Sequence, residues 1–243
     1  MAKQALLLRT LVDLADNLVD DFDVVDTLTL LADRCVEALD VAAAGVMIAG
    51  PGGALQVLAS SSDAMRALEL FQIQASQGPC LDCYQSGRPI VNVDLAAVNR
   101  RWPAFTPAAI AAGFRSVHSL PMRLRGRTVG ALNMFRTDTG VLDDDDVSAA
   151  QALADVATIA ILQHQSMIDA QKLNEQLHGA LNSRIIIEQA KGKISEAGGL
   201  DMDQAFQRLR GHARNHNLRL ADLARDIADG TVLPGSLDPH GHR

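Results

Sequence analysis

The chain has 243 residues, of which 48% are apolar and 21% are charged, and its formal net charge is −7 at pH 7. Three cysteines are too few for the disulfide framework of a small secreted domain, and no apolar run reaches the roughly 18 residues that span a bilayer. We therefore expect a globular cytoplasmic protein with no membrane partner.

The charge is unevenly distributed along the chain. Residues 1–180 hold 13 Lys and Arg against 21 Asp and Glu, and residues 221–243 hold 2 against 4. Residues 182–220 reverse the balance, with 7 basic against 4 acidic side chains. A basic segment in an acidic chain is a candidate nucleic-acid surface, although a solvated helical face would show the same excess.

The first two thirds of the sequence predict a mixed α and β domain. Leucines at helical spacing predict two helices within residues 4–39, broken near 20–23. Two strands are expected on either side of Pro51-Gly52-Gly53, and another two on either side of Arg125-Gly126-Arg127. The remaining predicted elements are helices at 63–73, 80–86 and 106–112 and a strand at 89–95.

A long helix is predicted from Asp143 onward, because acidic residues 143–146 suit its first turn and no breaker follows before Gly179. Apolar positions three or four residues apart are typical of a coiled coil, and Asn174 among them would set the register of a dimer. A single helix packed on its own domain is the alternative. The candidate seam positions are Leu153, Val156, Ala160, Met167, Ala170, Asn174, Leu177 and Leu181.

Three short helical patterns follow, at about 182–197, 201–213 and 220–227. Asp201 is expected to cap the second, with Gln204 completing a capping box. Residues 231–243 have no periodicity and are expected to form a disordered tail.

The stretch NSRIIIEQAKGKI, residues 182–194, and the segment DMDQAFQRLRGHARNHNLRLADLARDIADG after it closely resemble the ANTAR domain over residues 175–230. This resemblance implies a three-helix module that binds paired RNA stem-loops in a transcript leader, usually as a dimer. The matching features are Ser183-Arg184, Ile187, Glu188 to Gly192, Ala205-Phe206, Leu209-Arg210, Ala213, Asn217, Leu220 and Ala224.

The chemistry of these residues suits an RNA surface. Arg184, Glu188 and Lys191 project from one face of a helix, and Gly192 would let a partner approach closely. Close packing between helices of the same chain is the alternative reason for Ala190 and Gly192. The residues expected to bind RNA are Ser183, Arg184, Ala190, Lys191, Gly192, Lys193, Arg210, Arg214, His216, Asn217 and Arg219.

Residues of about 24–165 resemble a GAF domain, through QGPCLDCYQSGRPIVNVDL, RWPAFTPAAIAAGFRSVHSLPMRLRGRTVGALNMF and the long exit helix. The resemblance implies an antiparallel sheet flanked by helices that often senses a small ligand. Cys80 and Cys83 within it form a candidate redox pair, with structural cysteines and half a metal site as the alternatives. No metal and no cofactor are expected.

The expected fold class is α+β, with a GAF-like sheet, a long coiled-coil helix and a C-terminal three-helix bundle. We expect an antiterminator in which the sensor controls an RNA-binding module that pairs as a homodimer through the coil. The alternative is a signalling protein whose C-terminal helices bind a protein partner; an enzyme is not expected. The predicted divisions are 1–23 (N-terminal helix), 24–145 (GAF), 146–181 (coil), 182–230 (ANTAR) and 231–243 (tail).

Overall fold

A computed structural model describes residues 2–16, 23–50 and 52–237. The chain divides into two compact units, residues 1–166 and 167–243. Of the predicted helix break near residues 20–23, only Asp23 is within the described residues, whereas only Pro51 of the predicted Pro51-Gly52-Gly53 turn is outside them.

The first unit is built on a five-stranded antiparallel sheet of order β2-β1-β5-β4-β3. Its long hairpin β4–β5 turns through Arg125 and Gly126, both at positive φ, as the glycine-centred turn of the sequence predicts. The strands are β1 (Ala43–Ala49), β2 (Leu55–Ser60), β3 (Ile90–Asp94), β4 (Ser116–Leu124) and β5 (Arg127–Arg136).

Helices cover both faces of this sheet, so two apolar cores form. One core packs α1, α2 and the beginning of α6 on the sheet, and the other packs α3, α4 and α5 on the opposite face. Asp23 and Ser62 cap α2 and α3 by accepting hydrogen bonds from backbone N–H groups. The helices are α1 (Ala2–Asp16), α2 (Val24–Ala38), α3 (Asp63–Ala75), α4 (Pro79–Ser86), α5 (Phe105–Ala111) and α6 (Asp144–Gly198).

The beginning of α6 corrects the predicted coiled-coil seam. Leu153 is 1% exposed and lies in the first core with Ala150, Ala154 and Ala157, and Ala160 is also fully buried. These side chains are buried by packing against the sheet of the first unit. The spacing of apolar residues along the helix does not by itself reveal that the sheet covers this part of it. The exposed part of the seam begins at Met167.

The second unit packs the end of α6 against α7 (Met202–Asn215) and α8 (Leu220–Ala228). Asp201 and Gln204 form the predicted capping box of α7. The first of the three predicted short helices is the continuous end of α6 and not a separate element.

The prediction of a disordered tail is wrong for residues 231–237. Pro234–Leu237 form a 3-10 turn, and Leu237 is buried in the core of the second unit. Residues 238–243 lie outside the described residues. None of the helices within the described ranges is both long and apolar enough to cross a bilayer.

Candidate nucleic-acid interface and sensor core

Gly192 lies inside α6, where glycine costs about 1 kcal/mol relative to alanine. A Cβ atom added at this position would meet no other part of the described chain within 4 Å. Packing inside the second unit therefore does not require the glycine. Ala190, two residues earlier, is fully buried in the core, so its small side chain has a packing reason and it does not reach the surface.

Lys191 is held in place by two neighbours. Its Nζ donates to both carboxylate oxygens of Glu188 at 2.9 Å and lies 5.6 Å from the centre of the Phe206 ring. Only 14% of the lysine side chain is exposed. The charge is therefore fixed at one point of the surface, between α6 and α7.

Other predicted residues of α6 have differing environments. Arg184 is exposed on the same helical side as Lys191, and Ser183 is half-buried. Lys193 Nζ donates to the backbone oxygen of Ala228 at 2.6 Å, at the end of α8. The last carbonyl groups of a helix have no hydrogen-bond partner within it, and they lie at the negative end of the helix dipole. A lysine that donates to one of them stabilises the helix end, so Lys193 has a structural role.

The predicted residues of α7 and the following turn are all exposed. Arg210 lies one turn beyond Phe206, so it extends the face that carries Lys191, and Arg214 continues it by another turn. Asn217 has φ of 54°, the left-handed conformation that asparagine tolerates after a helix end. Arg219 directly precedes α8.

His216 belongs to another side of α7. Its ring stacks on that of His212 with centroids 4.0 Å apart and an interplanar angle of 20°. Both rings line a cleft of about 490 Å³ between α7 and the Pro234–Leu237 turn. The structure thus separates the predicted residues into a Lys191 face and a His216 cleft.

The sequence analysis missed most residues of this cleft. The sequence feature that could have identified the cleft is Gly211, a second glycine inside a helix. Glycine is destabilising there just as it is at position 192. The other missed residues that line the cleft are Gln207, Arg208, His212, Asn215, Ser236 and Leu237.

The middle of α6 presents an apolar stripe. Met167, Leu177 and Leu181 of the predicted seam are 64%, 56% and 60% exposed, and Ala170 and Asn174 between them are exposed as well. Ile185 continues the stripe toward the basic segment. This exposed row is not covered by any of the parts of the chain that the structure describes.

A polar cluster lies in the second core of the first unit and was also missed. Asn133 Nδ2 donates to Glu69 Oε1 at 3.2 Å, and Ser119 Oγ donates to Asn133 Oδ1 at 2.7 Å. Glu69 and Gln72 are fully buried on α3, and within the described chain Glu69 Oε2 and Gln72 Nε2 have no hydrogen-bond partner. Burial raises the pKa of Glu69 to about 8.

Cys80 and Cys83 are buried thiols in this core. Cys80 Sγ lies 3.2 Å from Met47 Sδ, and Cys83 Sγ donates to the backbone oxygen of Ser119 at 3.3 Å. Burial raises the pKa of Cys80 well above its ordinary value and that of Cys83 to about 12. The reactive thiolate is therefore suppressed, and the geometry favours the structural alternative over the redox pair.

Metal ligation lacks a suitable cluster in the described parts of the chain. Residues 2–16, 23–50 and 52–237 contain no group of three or more His, Cys, Asp or Glu side chains placed to hold a metal ion.

Gly45 of β1 makes room for the buried carboxyl group. A Cβ atom at this position would lie 2.6 Å from Glu69 Oε2, so Gly45→Ala should destabilise the first unit by about 1–3 kcal/mol through overpacking. Urea unfolding followed by fluorescence of Trp102, the single tryptophan, measures this because the indole is buried in the same core. Gly52→Ala is the control, since an added Cβ atom there meets nothing within 4 Å. Equal unfolding free energies for the two variants would contradict the prediction.

Comparison with known protein families gives two matches. The family described as GAF domain matches residues 23–162, and the family described as ANTAR domain matches residues 175–227. The two matches fall at the two ends of the chain where the sequence resemblances lie. Comparison with curated proteins finds no match.

Solved structures similar to the chain share the fold of its first unit. The free methionine-R-sulfoxide reductase of Neisseria meningitidis, in complex with its substrate, has a TM-score of 0.52 and 19% identity, covering 67% of this chain and 92% of that one. The GAF domain of an Acinetobacter phosphoenolpyruvate-protein phosphotransferase has a TM-score of 0.51 and 13% identity, with 65% and 94% covered. Identities this low establish the fold alone.

Proposed function

The chain belongs to the GAF domain family and carries an ANTAR domain after it, and from this premise we propose that it is an RNA-binding antiterminator. Its ANTAR module binds paired stem-loops in transcript leaders, and its GAF unit regulates that binding in the cytoplasm. Both matched families are sensor or regulatory modules, in keeping with a regulator rather than a catalyst.

The observation that carries the proposal is the environment of Gly192. Gly192 costs helix stability, and packing inside its own unit does not require a glycine there. Gly179 shares this open space, so the position of Gly192 in the sequence is what distinguishes it. The glycine lies in the basic segment of an otherwise acidic chain, next to the oriented Lys191. Close approach of a phosphate backbone accounts for both features, because a side chain at 192 would hold the backbone away from the lysine.

The cationic face supports the same proposal. Lys191 Nζ lies 5.6 Å from the centre of the half-buried Phe206 ring. Arg184 lies two turns before Lys191 on the same side of α6, and Arg210 and Arg214 lie one and two turns beyond Phe206 on α7. Glu188 orients Lys191 through two hydrogen bonds, and RNA phosphates would compete with this carboxylate for the lysine. Fixed cations that need no reordering bind phosphates at a lower entropic cost.

We also propose that two chains pair through the apolar stripe of α6. Paired stem-loops present two equivalent binding sites, and a dimer presents two ANTAR surfaces. After one surface has bound the first stem-loop, the second stem-loop binds within the same complex, which raises the overall affinity. Asn174 within the stripe would hold the register, as a polar residue does at a coiled-coil seam.

The regulating signal is proposed to enter at the polar cluster of Glu69, Gln72 and Asn133. A fully buried carboxyl oxygen and amide nitrogen without protein partners are costly, and a small polar ligand would satisfy both. The affinity of the full chain for RNA, compared with that of residues 145–243, tests the regulation. Equal affinities would exclude autoinhibition.

Gly192→Leu should weaken RNA binding at least tenfold while the protein stays folded, because leucine is a good helix former that occupies open space. Fluorescence anisotropy with a tandem stem-loop RNA, at two salt concentrations, measures affinity and the number of phosphate contacts. Gly192→Ala should raise the stability of the second unit by about 1 kcal/mol and weaken binding less.

Gly179→Leu is the matched control, since it also fills open space on α6 but lies outside the basic segment. Gly192 lies three turns beyond Leu181 on nearly the same side of the helix. Because that side carries the apolar stripe, the oligomeric state of each variant is also measured, to separate an effect on RNA binding from an effect on chain pairing. Dissociation of the dimer by Gly192→Leu would show that the glycine serves chain pairing. Absence of salt-dependent binding to any tandem stem-loop would favour a protein partner.

A further inference from the structure

The cleft beside α7 has the composition of a small polar binding site. Its wall combines the stacked rings of His212 and His216 with the side chains of Gln207, Asn215 and Ser236. Its volume of about 490 Å³ is in the range of small-ligand pockets. Gly211 forms part of its floor.

The glycine in the floor is unexplained by packing. Gly211 is inside α7, where it costs helix stability, and an added Cβ atom would meet nothing within 4 Å. A side chain at this position would therefore project into the cleft and not into the core. Keeping the cleft open is the physical consequence of glycine here.

The two stacked imidazoles present a flat platform. His216 Nδ1 lies 2.9 Å from the backbone oxygen of His212, and since a carbonyl only accepts, this nitrogen carries a proton. In the imidazole tautomer that carries its single proton on Nδ1, Nε2 is an acceptor. Burial and the neighbouring His216 lower the pKa of His212, which favours its uncharged ring at pH 7.

We propose that this cleft receives one unpaired nucleobase from an RNA loop, stacked on the His212–His216 pair. Bases that protrude from loops are bound by stacking on flat side chains and by hydrogen bonds to their edges. The amides of Gln207 and Asn215 offer both donors and acceptors to such an edge, and His216 Nε2 offers an acceptor. This inference rests on the proposed RNA-binding function and adds a base contact to the phosphate contacts of the Lys191 face.

Gly211→Leu tests the proposal in the full-length chain. The probe is a tandem stem-loop RNA selected for binding from a pool with randomised loops. The leucine fills the cleft from its floor, so we expect about tenfold weaker binding or more, the usual loss when a stacked base is removed. Gly179→Leu, on α6, should bind as tightly as the unaltered chain.

Abasic substitutions along the loops identify the base. One abasic position should weaken binding of the unaltered chain by about tenfold and have no further effect on Gly211→Leu, because both changes remove the same contact. Circular dichroism establishes that Gly211→Leu is folded, and Gly211→Ala provides a smaller intrusion if the leucine variant unfolds.

Three outcomes are decisive. Coupled losses support a base-binding cleft. Unchanged affinity of the folded Gly211→Leu variant, or additive losses with every abasic position, would overturn it while the proposed function stands. If the unaltered chain binds no tandem stem-loop RNA, the proposed function fails and the cleft proposal falls with it.

Discussion

Glu69→Gln should make the first unit more stable than the unaltered protein at pH 8, by a difference on the order of 4 kcal/mol. Glu69 is fully buried, its pKa is raised to about 8 by that burial, and Asn133 Nδ2 donates a hydrogen bond to its Oε1. Glutamine has nearly the shape of the protonated acid and still accepts from Asn133. The variant therefore keeps the packing and removes the cost of ionisation.

The sign follows from proton uptake. With a folded-state pKa of about 8 against an ordinary value of 4.5, the folded protein holds a proton that the unfolded chain releases between these pH values. Glu69 therefore contributes full stability below pH 4.5, and this contribution is lost as pH rises to about 8. The difference between variant and unaltered protein should grow with pH over this interval and be constant above it.

His118 acts in the opposite direction at acid pH. Burial and Arg136 lower its pKa to about 4 from an ordinary value of 6.5, so its contribution is present above pH 6.5 and lost as pH falls toward 4. Because His118 is present in both proteins, its effect cancels in the difference.

Urea titrations from pH 5 to 9, followed by Trp102 fluorescence, measure the free energy of unfolding of this unit. Glu37→Gln removes an exposed carboxylate of α2 and should leave the pH profile parallel to that of the unaltered protein. A profile of Glu69→Gln that is also parallel would refute the raised pKa.

Leu177→Glu combined with Leu181→Glu should convert the proposed dimer into monomers. Both leucines are more than half exposed in the single chain, and neither belongs to the core of the second unit, so their replacement leaves that core intact. Two carboxylates in each helix would face those of the partner across an apolar seam, where desolvation and repulsion are both unfavourable. Sedimentation equilibrium measures the change.

Loss of pairing should lower the affinity for tandem stem-loop RNA by about 100-fold or more, because each ANTAR surface would bind alone. Affinity for a single stem-loop should change little. Gln176→Glu adds a similar charge on the other side of α6 and should leave both properties unaltered. A double variant that remains dimeric would locate the pairing surface elsewhere.

The candidate site combines local features of the sequence with features that only the structure reveals. The mid-helix glycine at 192 and the basic excess around it are local features, and they directed attention to a surface that the structure leaves open. The same reasoning overlooked Gly211, whose cleft forms only because the 234–237 turn packs beside α7. Lys193 is also predicted to bind RNA, and its hydrogen bond to Ala228, 35 positions away in the sequence, is a contact that only the structure reveals.

The fold, like the candidate site, was predicted only in part from the sequence. Apart from the separate helix expected at 182–197 and the tail after residue 230, the sequence by itself determined the order and type of the strands and α-helices, since the periods of apolar residues, the turn glycines and the helix caps act over a few neighbouring positions. It also determined the two-domain organisation, since the motifs of each domain lie in continuous segments.

Only the tertiary structure decided which apolar and polar side chains are enclosed. Leu153 and Leu181 follow the same repeat on one helix, yet Leu153 is 1% exposed and Leu181 is 60% exposed. Glu69 reads as an ordinary helical acid but lies beneath the sheet opposite Gly45. Burial depends on which distant surface packs against a residue, and a local repeat does not contain that information.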